Sequence, residues 1–198
     1  MTRPRPMQML RAPIALLAIV VSCAPAGAVE SQPEVDQALR ERLISAASEA
    51  SSFDDRFHAE VWLTDMSSRL EAKVPDHDER LAILKTAHQE AIRVGLPPEL
   101  VLAVIDIESN FDRFALSYAG ARGLMQVMPF WLKEIGRPED NLFEIGTNLR
   151  YGCTILRYYY DMEDGSLFPA LARYNGSRGK RWYPDLVMGR LSSKWYQQ

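Results

Sequence analysis

Between Leu100 and Ile107 the chain is apolar at every position except Asp106: Leu100, Val101, Leu102, Ala103, Val104, Ile105 and Ile107 leave no polar stripe. Pro97-Pro98 stands just ahead, at helix-opening positions where a missing N–H costs nothing. A helix that is apolar all round has no face for water and must be enclosed by other elements. In a chain of 198 residues, that one segment already requires a packed core wrapped around a central helix. Candidate neighbours carry the helical period. Leu81, Leu84, His88, Ala91 and Ile92 mark one face of a helix that starts after Asp76 and stops at Gly95, a natural left-handed cap. Leu149, Cys153, Leu156 and Tyr160 share a face of a later helix, whose start is signalled by Asn141 with Glu144 three residues on. Asp164-Gly165 turns the chain, and Leu167 to Arg173 reads as a short helix behind Ser166. Between Tyr118 and Gly123 lies a glycine-bearing loop, followed by a short helical stretch ending near Pro129. No stretch alternates with period two, so the fold class is mainly α.

Upstream, Glu34 to Val74 is also helical in pattern. Val35, Leu39 and Leu43, then Phe53, Phe57, Val61, Met66, Leu70 and Val74, recur at helical steps, with Ser51-Ser52 as a break and Pro75 as a stop. Two readings follow: helices that brace the main domain, or a docking arm for a protein partner in the cell envelope. Further upstream, Arg3, Arg5 and Arg11 precede the apolar run Ala12 to Val21. That run is far short of the roughly 20 residues that span a bilayer, and small residues follow it. Such a pattern is a secretory signal. Val20-Val21-Ser22-Cys23 resembles a lipobox, which would make Cys23 a lipidated first residue; Ala26-Gly27-Ala28 offers an ordinary cleavage site instead. The expected organisation is therefore an export signal over 1–28, a helical extension over 29–75, a main domain over 76–190 and a tail over 191–198. Export places the protein in the periplasm, as a soluble protein or as an outer-membrane lipoprotein.

Charge and cysteine content narrow the function. With 23 basic against 26 acidic residues the chain is net negative, and loss of the leader's three arginines makes it more so. A nucleic-acid partner would call for a basic face. Only Cys153 remains once Cys23 is lipidated or removed, so the mature chain has no intramolecular disulfide. His58, His77 and His88 lack metal-ligand spacing, and no metal or cofactor is expected.

Chemistry concentrates at Glu108. A carboxyl group at the end of an apolar helix is partly desolvated, and the negative end of the helix dipole adds to the bias against its charge. Both raise its pKa. An acid kept neutral near pH 7 suits the protonation of a glycosidic leaving oxygen. A helix-end glutamate facing water is the plainer alternative on position alone.

Four sequence blocks bear on that choice: Glu108-Ser109; Gly120-Ala121-Arg122-Gly123-Leu124-Met125-Gln126-Val127-Met128-Pro129; Asn148 through Gly152; and Ala172-Arg173-Tyr174-Asn175. They resemble, in order and spacing, the ES, GxxGLMQxxP, NxxxG and AYN blocks of the soluble lytic transglycosylases, the lysozyme-like enzymes of peptidoglycan. The similarity runs from about Asp76 to Arg190. It implies a lysozyme-like domain, preceded here by the helical extension, that acts on peptidoglycan glycan strands. By that resemblance Glu108 is the single catalytic acid/base and Ser117 contacts a sugar N-acetyl group. Met125 and Gln126 line the glycan groove, and Tyr174 positions the glutamate with Asn175 beside it. Arg173 departs from the usual alanine, and Gly176-Ser177-Arg178-Gly179 departs from the usual groove end. The implied reaction cleaves the β-1,4 bond between N-acetylmuramic acid and N-acetylglucosamine without water, leaving a 1,6-anhydro end. A hydrolytic lysozyme, with Asp112 as the only nearby second carboxylate, and a non-catalytic glycan-binding scaffold are the competing readings.

Overall fold

The computed structural model describes Ser52, Phe53 and Asp55–Tyr196. Among the described residues seven α-helices follow one another: α1 Arg56–Leu70, α2 His77–Val94, α3 Pro98–Glu108, α4 Trp131–Ile135, α5 Ile145–Met162, α6 Leu167–Tyr174 and α7 Trp182–Arg190. A π-turn over Leu191–Trp195 continues α7. Among the described residues there is no strand, only isolated antiparallel bridges from Arg122 to Leu116 and to Val127. The export signal, Cys23 and the region before Ser52 lie outside the described residues.

The all-apolar segment is α3, and it is enclosed as its composition requires: Leu100 to Ile105 are buried on every side. Helices α2 and α7 and the π-turn pack against it, while α5 packs on α2 and α6. Local sequence fixes the ends. Asp76 accepts the Glu79 N–H at 2.7 Å to cap α2, and Gly95 closes that helix at φ +68°, a conformation open to glycine at little cost. The α1 helix joins the same core through Ala59, Trp62, Leu63, Met66 and Leu70, and Trp62 donates its indole N–H to Glu99 at 2.7 Å. At the other end Trp195 is fully buried against Phe111, with ring centroids 5.3 Å apart.

Two expectations differ from the fold. The stretch before Pro129 is not helical, because Gly123 and Gln126 both adopt positive φ (73° and 48°) and turn the backbone out of any helix. The helix comes just after, as α4. Likewise the Asn141 side chain accepts the Phe143 N–H at 3.0 Å, but it stands one turn ahead of α5, whose first residue is Ile145.

Candidate active site

Helix α3 ends on Glu108, and the next residues make an abrupt exit. Asn110 and Phe111 are consecutive at φ +53° and +68°, a strained pair for residues with a Cβ. Burial of Phe111 under Trp195 and a contact of 2.5 Å from the Lys73 amine to the Asn110 side-chain oxygen hold the turn. Ser109 folds its hydroxyl back onto the Leu124 carbonyl at 2.7 Å. The second half of the Glu-Ser block thus ties the helix end to the loop carrying Met125 and Gln126.

That loop is itself fastened from α5. Asn148 accepts the Met125 N–H at 2.8 Å and donates to the carbonyls of Arg122 and Leu142, both at 2.8 Å. One buried amide side chain therefore bonds three backbone groups of the irregular segments around the cleft. Gly152, one turn further on, leaves room for Met125: a Cβ there would overlap the Met125 sulfur, as one on Gly123 would overlap Asn148. The Asn148-to-Gly152 spacing is thus a clamp and a notch on one face of α5. Cys153 lies behind it, buried with its sulfur 4.0 Å from that of Met125, and burial pushes its thiol pKa well up.

The cleft has a volume of about 280 Å³ and is lined by Glu108, Ser117, Gln126, Trp131, Tyr174 and Asn175, among others. Ser117 accepts the Ala121 N–H at 3.0 Å, which leaves its hydroxyl proton for another acceptor. Gln126 spends its amide protons on the carbonyls of Ala115 and Gly123, at 3.1 and 3.0 Å, and so presents oxygen rather than N–H to the cleft. Met125 is fully buried behind the wall. Tyr174 donates to the Met125 carbonyl at 2.7 Å rather than to the glutamate. The hydroxyl on Glu108 belongs instead to Tyr183 of α7, which donates to Oε1 at 2.5 Å. Desolvation raises the Glu108 pKa from 4.5 to about 6, against a smaller lowering by the Tyr183 hydrogen bond. Burial, with Glu108 next, raises the pKa values of Tyr174 and Tyr183 well above the ordinary phenol range, so both remain donors.

Other residues raised by the sequence sit elsewhere. Asp112 is exposed and accepts the Phe114 N–H at 2.8 Å, as a turn residue does. Asp106, two positions before Glu108, points away from the cleft to accept the Trp195 indole N–H at 3.0 Å and the Lys73 amine. His58 sits 3.3 Å from Asp55, and His88 stacks on Phe53 with its Nδ1 at 2.9 Å from the Ser52 hydroxyl. Arg173 pairs with Glu163.

A family model described as the transglycosylase SLT domain matches residues 85–184. Membrane-bound lytic murein transglycosylase C of Mannheimia succiniciproducens is 37% identical over 82 residues, which cover 37% of this chain and 23% of that protein. Its namesake from Photorhabdus laumondii is 31% identical over 124 residues, 54% of this chain and 35% of that protein. A transglycosylase of Enterobacteria phage PRD1 is 29% identical over 114 residues, 54% of this chain and 42% of its own length. The chain thus spans less than half the length of each. With the matched region reaching from within α2 to the start of α7 and enclosing every block of the cleft, the chain belongs to the transglycosylase SLT domain family.

Proposed function

We propose that the protein is a peptidoglycan lytic transglycosylase that cleaves the N-acetylmuramic acid–β-1,4–N-acetylglucosamine bond and leaves 1,6-anhydro ends. The observation that carries this reading is a single half-buried carboxyl group, with a pKa raised to about 6 and a tyrosine fixing one of its oxygens, in a cleft whose lining contains no second Asp or Glu. A hydrolase of the inverting type needs another carboxylate roughly 6.5–9.5 Å away to activate water, and Asp112 is engaged in its own loop.

In this mechanism one group acts twice. Protonated Glu108 donates to the glycosidic oxygen as the bond from the muramoyl C1 breaks, and the substrate's own N-acetyl group stabilises the cation in place of a protein nucleophile. The free hydroxyl proton of Ser117 is suited to hold that N-acetyl carbonyl in position. Glu108, now ionised, takes the proton of the muramoyl C6 hydroxyl as its oxygen closes on C1. Glu108 ends protonated, and no water enters. An intramolecular hydroxyl brings high effective molarity to the step. Gln126 and Asn175 line the path of the strand. Tyr174 acts through the Met125 carbonyl by holding the loop.

The reading extends to an exported protein of the cell envelope, with Cys23 as a lipid-anchor candidate. It also includes an envelope protein partner for residues 34–74, where the outward side chains of Phe57 and Val61 on α1 would meet it. The test of the core claim is mass spectrometry of muropeptides released by the purified protein and by Glu108→Gln. Anhydromuramoyl products are expected from the parent, with at least about a hundredfold loss in the variant. Reducing-end products would establish a lysozyme. No products from either protein, with glycan binding intact, would establish a scaffold.

A further inference from the structure

The cleft does not end at Trp131. Trp131 and Ile155, which line it beside Glu108, also wall a second hollow of about 540 Å³ whose outer side is Phe130 and Tyr158. That hollow shares Ile135 and Thr154 with a third, of about 930 Å³. The three follow one another along α5, and Arg150 in the third is five residues from Ile155 in the first. At 1.5 Å and 100° per residue that is about 7.5 Å along the helix axis and roughly 140° around it, so the route curves round α5 from the cleft to the third hollow.

The chemistry changes along this route. Phe130 and Tyr158 are half exposed and form an aromatic shelf of the kind that covers a sugar face. Beyond it the third hollow is polar and carries Arg93, Arg137 and Arg150, with Glu90 and Asp140. Both acids are already engaged. Glu90 is buried and bonds Arg93 at 2.5 Å, with the Arg150 guanidinium at 3.6 Å. Asp140 accepts the Tyr151 hydroxyl at 2.6 Å. Arg93 is further fixed by Thr154 at 2.8 Å, while Arg137 and Arg150 lie exposed at the rim. Three guanidinium groups against two occupied carboxylates give this basin surplus positive charge on a chain whose net charge is negative. Neutral sugars do not call for arginines; carboxylates do, because the guanidinium fork matches both their oxygens.

We propose that this basin receives the acidic peptide carried by a glycan strand whose sugars occupy the cleft and the aromatic shelf. The proposal rests on the peptidoglycan reading above and names the part of the substrate that reading leaves unplaced. A peptide hanging from a sugar beside Ile155 reaches Arg150 within a few residues of extended chain, at about 3.3 Å per residue. Glu90 holds the inner arginine rigid, so the cost of ordering it is met before the ligand arrives.

The test uses binding alone, so that it stands whether or not the chain proves to be a transglycosylase. Calorimetry would compare Glu108→Gln with the triple variant Glu108→Gln/Arg137→Ala/Arg150→Ala. The two ligands are a peptide-bearing glycan oligomer and an N-acetylglucosamine oligomer of equal length, which carries neither peptide nor carboxylate. About tenfold tighter binding of the peptide-bearing oligomer by Glu108→Gln is expected, with the preference lost in the triple variant. Both substituted arginines are exposed, and a circular dichroism melt matching that of Glu108→Gln verifies the fold. Equal affinity of Glu108→Gln for the two oligomers, or a preference that survives in the triple variant, overturns the proposal. Failure of the muropeptide assay with this preference intact would instead remove the lyase chemistry and leave the basin.

Discussion

Glu108 and Tyr183 are 75 residues apart in sequence and 2.5 Å apart in space, and their contact sets the pH behaviour expected of the enzyme. In the proposed mechanism catalysis begins from the protonated carboxyl group, so kcat/KM should fall about tenfold per pH unit above roughly pH 6, the value to which burial lifts this acid. The Tyr183 hydroxyl bonds the ionised form and so opposes that lift. Tyr183→Phe should therefore move the alkaline limb of the pH–rate profile to higher pH while lowering the maximal rate about tenfold through looser orientation of the acid. A phenyl ring that merely loosened the packing would lower the rate without moving the limb, so the profile separates the two roles. The partial desolvation of the glutamate was legible in the sequence because an apolar run ending in a carboxylate is a local pattern, while its choice as the acid rested on the four blocks that resemble the family. Tyr183 was not, since Trp182-Tyr183 carries no local mark of what it faces. The resemblance pointed to Tyr174, one helix earlier, and the structure spends that hydroxyl on the Met125 carbonyl.

At the scale of elements, α3 presents two acids in different directions, and the second explains how its neighbours are held. Asp106 is buried beneath Lys73, which follows α1, and Arg190 and Lys194 at the end of α7 and its π-turn, and it accepts the Trp195 indole N–H. Asp106→Ala leaves an amine and an indole N–H without their acceptor, and loss of one partner of a buried ion pair costs about 3 kcal/mol. Asp106→Asn keeps an acceptor for Trp195 and should lose clearly less; urea denaturation of the two variants measures the difference. Helices α2, α3 and α6 were readable because their periodicity, caps and proline or glycine boundaries agree with one another. Helix α7 was not, since no capping side chain marks its start and Gly189 weakens its local propensity, and tertiary packing on α3 carries it. The loop before Pro129 looked helical because Leu124 to Met128 contains good helix formers. Its left-handed Gln126 is held by two bonds from the side-chain amide, to the Ala115 carbonyl eleven residues back and the Gly123 carbonyl three back, and residue type gives no sign of that.

For the whole molecule, the family match and the folding unit have different limits. The match covers 85–184, yet the continuous core extends from Ala59 to Trp195. Helix α1 contributes Trp62, Leu63, Met66 and Leu70 to it, all buried. Each such side chain contributes about 1.5–3 kcal/mol by burial, so together they account for an amount comparable with the whole stability of an ordinary domain, about 5–15 kcal/mol. The other side of that contact is α2, whose buried face includes Ile83, Leu84, Ala87 and Ala91. Stripped of α1, the part of this face that α3 and α5 do not cover would be open to water. A chain that begins at Asp76 should then lose its cooperative thermal transition, even though it retains every residue of the cleft. Circular dichroism melting of the shortened and full chains decides the matter. A transition within a few degrees of the full chain's would mean that α2 closes its exposed face by other means, and that α1 is an accessory to the core. In the full chain the graded version of the same experiment is Leu63→Ala, which opens a cavity at a fully buried site and should cost about 2–5 kcal/mol. That loss comes from a residue outside the family match, in the same core that encloses the helix ending at Glu108.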